Sequence, residues 1–95
     1  MIFKNNKKDP FSRWKVAAKS NSLDVLLTDI DDIIQEIGEV SLKIIDAESK
    51  NDLRKATNLR THRNQLHNYK NAMCGRQKVL YSLQAANNKF PKNNI

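Results

Sequence analysis

Residues 23–47 read LDVLLTDIDDIIQEIGEVSLKIIDA, and their apolar positions recur at alternating steps of three and four. This spacing forms a heptad seam, which is typical of a helix that packs along its length on other helices. Leu27, Ile34 and Ile45 lie beside the seam and widen the apolar arc to about 140° at the helical rotation of about 100° per residue. One partner helix covers less than that, so the pattern predicts a bundle in which this main helix has two neighbours. The seam consists of Leu23, Leu26, Ile30, Ile33, Ile37, Val40, Ile44 and Ala47.

Length and composition predict one small all-α domain. The chain has 95 residues, with six aromatic residues and two glycines, which are few for a β-rich fold and its turns. The lone cysteine, Cys74, cannot form an internal disulfide, and the amino-terminal residues contain no apolar run of a signal peptide. No stretch approaches the roughly 20 apolar residues that span a bilayer. We therefore expect a cytoplasmic location, or the host cytoplasm if the protein is viral.

Local signals divide the chain into three segments. Residues 1–21 form a basic, flexible amino terminus in which Asp9 and Pro10 begin a short amphipathic helix that ends near Lys19. Residues 22–90 form a helical hairpin. Asn21, just before this segment, and Asp24 resemble a capping box for the main helix. Residues 91–95 form a tail that follows the last helix. The expected fold is thus two long antiparallel helices preceded by a short basic helix.

The hairpin depends on a turn within the polar residues 49–52. Ser49, Asn51 or Asp52 could cap a second long helix from about Leu53 to Asn87, and the alternative is a single rod of about 65 residues. Gly75 is a candidate for a kink, or for a break that starts a third short helix at Arg76. Gly38, at the edge of the main apolar arc, suggests a close helix approach. The second long helix presents a thinner apolar face of Leu59, Leu66, Tyr69, Met73, Leu80 and Leu83.

Charge is divided sharply along the chain. Residues 1–21 carry six basic and one acidic residue, residues 22–50 two and eight, and residues 51–95 nine and one, giving +5, −6 and +8 and the total of +7. The second long helix has a basic stripe within about 80° of its circumference, beside its apolar face. We expect an antiparallel hairpin to bring this stripe near the acidic flank of the main helix. The stripe comprises Arg60, Arg63, His67, Lys70 and Lys78.

No motif in the chain indicates catalysis, a metal or a cofactor. Two isolated glycines cannot form a phosphate-binding loop. His62 and His67 are about 140° apart around a helix and do not converge with Cys74, so we expect no zinc site. The simpler interpretations are that His62 and Arg76 are polar spacers that fix helix register and that Cys74 fills a small space. Asp31 and Asp32 point about 100° apart and are expected to be solvated, so they form no paired acid and base.

The favoured hypothesis is a non-catalytic protein-interaction or assembly module, such as a small adaptor, a chaperone-like factor, or an accessory protein of a phage or secretion system. We expect association through the apolar face of the main helix, either as an antiparallel homodimer that forms a four-helix bundle or with a helical partner. Phe11 and Trp14 would form a second contact. The predicted interface is Leu26, Ile30, Ile33, Ile37 and Ile44, together with Phe11 and Trp14.

The alternative hypothesis is a nucleic-acid-binding accessory factor in which basic side chains neutralise phosphates. Binding of the short basic helix to an anionic membrane surface ranks behind this alternative. No motif in the chain is specific to a known family. The predicted nucleic-acid-binding residues are Arg13, Lys15, Lys19, Arg60, Arg63, Lys70 and Lys78.

Overall fold

The computed structural model describes residues 9–89, which form three helices and no strand. The helices are α1 (Ser12–Ala17), α2 (Leu23–Ser49) and α3 (Leu53–Lys89). α2 and α3 pack against each other as a hairpin, and α1 contacts both of them. The prediction of an all-α helical hairpin preceded by a short helix is therefore confirmed. The flexible start predicted for residues 1–8 and the tail predicted for residues 91–95 lie outside the described residues.

A tight turn joins the two long helices, as predicted, and the single rod is excluded. Asn51 adopts φ 60°, and the backbone N–H of Asp52 donates to the carbonyl of Ala47 at 2.8 Å. The N–H of Asn51 donates to the carbonyl of Glu48 at 3.0 Å. This is a Schellman motif with asparagine in the left-handed position. Of the predicted caps, Asp52 performs the role, because its Oδ1 accepts from the N–H of Lys55 at 3.1 Å.

The other helix ends correct the sequence-based boundaries. Ser22 and not Asn21 caps α2, since its Oγ accepts from the N–H of Val25 at 3.3 Å. Asp9 does not cap α1 directly; its carboxylate accepts from the N–H of Phe11 at 2.9 Å and closes a turn that precedes the helix. α1 therefore begins at Ser12.

α3 runs without a break through Gly75, so no third short helix begins at Arg76. Met73 is buried and Leu80 is partly buried, and these contacts on both sides of Gly75 stabilise a helix that glycine alone weakens by about 1 kcal/mol. The predicted face of α3 is confirmed except at Leu83, which is 55% exposed. Leu80 and Leu83 lie level with Leu23, the first residue of α2, so α2 offers little surface to Leu83.

The core lies between α2 and α3 and beneath α1. It follows the heptad seam of α2, because every third or fourth residue of an α-helix returns to the same side. Within residues 9–89, no helix has the length and hydropathy that a membrane crossing needs. The buried apolar residues are Trp14, Ala17, Leu26, Ile30, Ile33, Val40, Ile44, Ala47, Ala56, Leu66 and Met73.

Candidate interaction surface

α1 covers one side of the hairpin and neutralises part of the acidic charge of α2. The Nη2 atom of Arg13 lies 2.5 Å from Asp29 Oδ1 and 2.5 Å from Asp32 Oδ2. Hydrogen bonds to Asp32 and Asp29 raise the pKa of the Arg13 guanidinium above its usual value. Lys15 forms an ion pair with Asp9. These three ion pairs mean that two of the predicted nucleic-acid-binding residues, Arg13 and Lys15, are already paired with carboxylates.

The two aromatic residues predicted as a second interface are engaged within the chain. The ring of Phe11 stacks on His62 at 5.1 Å and on Tyr69 at 5.4 Å between centroids. Trp14 is buried, with the Arg13 guanidinium 4.7 Å from its ring centroid. His62 is half-buried at the seam, and its Nε2 lies 3.7 Å from a carboxylate oxygen of Glu36. Phe11 and Trp14 therefore fasten α1 to the hairpin.

Arg76 ties the connection between α1 and α2 to α3. Its Nε donates to the carbonyl of Ser20 at 2.7 Å, and its Nη2 donates to Asn21 Oδ1 at 2.7 Å. The sequence predicted a register-fixing polar residue at this position without indicating its partners. Its guanidinium bonds residues more than 50 positions away, so it fixes where the chain turns from α1 into α2.

The basic stripe of α3 does not lie against the acidic flank of α2, which corrects the predicted charge pairing. The acidic residues Asp29 and Glu36 face the side that α1 covers, whereas Arg63 donates to Ser41 Oγ at 3.1 Å on the opposite side. Around α2, Ser41 is roughly 120–140° from both acidic residues. Arg60 is the stripe residue with an ion pair in the described part of the chain, to Glu48 beside the turn.

The predicted interface residues are largely part of the intramolecular core. Leu26, Ile30, Ile33 and Ile44 are buried, and Ile37 is partly buried. They hold α2 against α3 and α1, so a partner could reach them only if the hairpin opened. The apolar surface of α2 that remains for a partner consists of other residues.

That remaining surface, here named the open α2 face, is formed by Leu27, Ile34, Gly38 and Ile45. These residues lie within about 40° of one another on the side of α2 opposite α1. Ile34 is 51% exposed and Ile45 is 61% exposed. Among residues 9–89, a Cβ added at Gly38 would meet no atom within 4 Å, so the close helix approach predicted there does not occur in the described part of the chain. The sequence did carry a signal for this face, because its three large residues are those by which the apolar arc exceeds the seam.

Two charged edges border the open α2 face. On the side away from α3 lie Asp24 and Asp31, both exposed, and we name them the outer acidic edge. On the α3 side lie Arg63 and Lys70, which we name the basic edge. The surface is therefore an apolar strip with negative charge along one side and positive charge along the other.

An open groove lies between α2 and α3 on the α1 side, beyond the amino-terminal end of α1. Its volume is about 780 Å³. Its walls carry three carboxylates and three cationic side chains, so their charge selects no class of ligand. The charged lining residues are Glu36, Glu39, Asp52, Lys43, Arg54 and Lys55.

Within residues 9–89, no group of three His, Cys, Asp or Glu side chains is arranged to hold a metal ion. Cys74 is half-buried. No protein-family model, curated protein or solved structure matches the chain.

Proposed function

We propose that the chain is a non-catalytic interaction module that binds a helical protein surface through the open α2 face. The observation that supports this most directly is the exposure of Ile34 and Ile45 on one side of α2, while the seam residues of the same helix are buried. Apolar residues grouped on one side of a helix between polar borders are typical of protein-binding surfaces, whereas scattered single apolar residues are not. A helix with an apolar stripe is the complement that such a strip fits best.

A photo-activatable cross-linking residue at position 45, in the protein expressed in cells of its source, tests this function. The expected result is a discrete protein adduct from position 45. The matched control is the same residue at Lys43, which is exposed on α2 but about 160° away around the helix. Absence of an adduct at position 45, or an equal adduct at position 43, would contradict the proposal.

Nucleic-acid binding is a second candidate, and one observation favours it. The basic edge does not face the acidic flank of α2, so its positive charge is not compensated in the way that the sequence suggested. Phosphate contacts make binding fall steeply with salt. Fluorescence anisotropy with a labelled oligonucleotide should then show binding that weakens in salt and is lost in Lys70→Glu/Lys78→Glu. No binding at low salt would remove this candidate.

A further inference from the structure

We propose that the open α2 face is a homodimer interface, in which the α2 helices of two copies cross at Gly38 and each basic edge lies beside the partner's outer acidic edge. The occupant of the face is thus a second copy of this chain. This proposal rests on the proposed function, and the oligomeric state of the purified chain distinguishes the two.

The shape of the face fits a second helix. Ile34, Gly38 and Leu42 are spaced four residues apart and form one ridge of α2, the kind of ridge that packs into the groove of another helix. Leu42 is 68% exposed at the border of the face. No atom of residues 9–89 lies above Gly38, so another backbone can approach there more closely than at any residue with a side chain.

The charges favour a second copy as the partner. The outer acidic edge and the basic edge lie at nearly the same level along the hairpin axis, so the acidic edge of one copy can lie beside the basic edge of another. The Ser41–Arg63 hydrogen bond fixes the antiparallel register. Asp31 lies ten residues before Ser41 and Lys70 lies seven residues after Arg63, so their heights differ by three residues, about 4.5 Å at 1.5 Å per residue.

These edges also select the relative direction of the two copies. If the two α2 helices ran antiparallel, both basic edges would lie on the same side of the crossing and would repel each other. If the two α2 helices run parallel, the basic edge of each copy lies on the same side of the crossing as the outer acidic edge of the other copy. Asp31 of one copy then lies next to Lys70 of the second copy. The charges therefore favour the parallel crossing, in contrast to the antiparallel dimer expected from the seam alone.

Sedimentation equilibrium of the purified full chain over a wide concentration range, with matched glycine variants, tests the interface. The wild-type chain should be a monomer–dimer mixture. Gly38→Leu should raise the dissociation constant at least tenfold because its side chain blocks the crossing. The same change should raise the unfolding midpoint of the dilute monomer, because leucine favours a helix more than glycine and space is open. The control is Gly75→Leu, which also meets open space but lies on α3, and should leave the dissociation constant unchanged.

A charge exchange tests the partner and its direction. Asp31→Lys and Lys70→Asp should each weaken the dimer, and the double variant should restore it, since each copy supplies both changed residues. Circular dichroism of each variant confirms that the helices remain. A wild-type chain that stays monomeric, a dimer indifferent to Gly38→Leu, or a double variant weaker than both singles would overturn the proposal. A monomeric chain whose position 45 cross-links to a different protein would overturn the homodimer and leave the proposed function standing.

Discussion

The guanidinium of Arg13 in α1 binds one carboxylate oxygen of Asp29 in α2 through two nitrogens, Nε at 3.1 Å and Nη2 at 2.5 Å. α1 has only six residues, and a helix of that length is not stable in water on its own. Its position is therefore maintained by tertiary contacts, which include this bond and the burial of Trp14.

Arg13→Gln should weaken the docking of α1. The free energy of unfolding should fall by about 1 kcal/mol, because the Arg13 side chain is half-exposed and exposed ion pairs contribute little. This loss corresponds to a fall of about 4–8 °C in the unfolding midpoint. Trp14 is the sole tryptophan, so its fluorescence reports on α1 directly. The control is Lys19→Gln, which removes the same charge from an exposed position after α1. Equal effects of the two variants would contradict the assigned role of Arg13.

Ile33→Ala and Ile34→Ala, at adjacent positions, should differ sharply in their effect on stability. Ile33 is fully buried, so its truncation should lower the free energy of unfolding by about 2–5 kcal/mol. Ile34 is 51% exposed, so its truncation should cost less than about 1 kcal/mol in the monomer. Urea unfolding of both variants at low protein concentration measures this difference. Similar losses would mean that the rotation of α2 about its axis is different from that described.

Asn51→Val should destabilise the hairpin turn by about 1–2 kcal/mol, because a β-branched residue is strained at φ 60°. Asn51→Gly should be neutral or slightly stabilising, because glycine adopts this conformation without strain. Thermal unfolding followed by circular dichroism distinguishes the two. A valine variant as stable as the glycine variant would show that the left-handed position is not required.

Asp52→Ala tests the start of α3 independently of the turn conformation. It removes the carboxylate that accepts from the N–H of Lys55, and loss of such a cap costs about 1 kcal/mol. Hydrogen exchange should show faster opening in the first turn of α3 and unchanged protection around Met73, which is buried. Uniform loss of protection would contradict a local capping role.

The turn before α1 should respond to acid. The hydrogen bond from Lys15, followed by that from the N–H of Phe11, lowers the pKa of Asp9 below its usual 3.8. A carboxylate with a lowered pKa in the folded state stabilises that state above the unfolded pKa, and the effect is lost as the pH falls through the folded pKa. Carboxyl titration by NMR should therefore give an Asp9 pKa below 3.8 that rises in Lys15→Gln. An Asp9 pKa unchanged by Lys15→Gln would contradict this pairing.

At high pH the same ion pair is lost because Lys15 is deprotonated. Its hydrogen bond with Asp9 raises the pKa of Lys15 above 10.5, so its contribution is complete below the unfolded pKa and is lost as the pH rises through the folded value. The ion pair therefore stabilises the folded state at pH values between the pKa of Asp9 and the pKa of Lys15. Trp14 fluorescence across this window should remain constant and change at either limit.

Helix class, the hairpin and its turn were predictable because their causes are local. The seam of α2 repeats every three or four residues, and a chain with that spacing buries one side whatever it packs against. The turn depends on Asn51 and Asp52, which are adjacent in the sequence and satisfy backbone groups within five residues. The cap of α2 was placed one residue too early because Asn21 and Ser22 are both good caps, and local composition does not choose between them.

The surface available to a partner was not predictable, because it depends on contacts between residues far apart in the sequence. Arg13 reaches Asp29 and Asp32, 16 and 19 positions away, and Arg76 reaches Ser20 from 56 positions away. These contacts place α1 on the acidic side of α2 and leave the basic edge of α3 on the other side. The periodicity of residues 23–47 indicated that α2 can pack against more than one neighbour. Which side of α2 the chain itself covers, and which side stays open, follows from where α1 is held, since only the folded chain brings those charges and aromatic rings together.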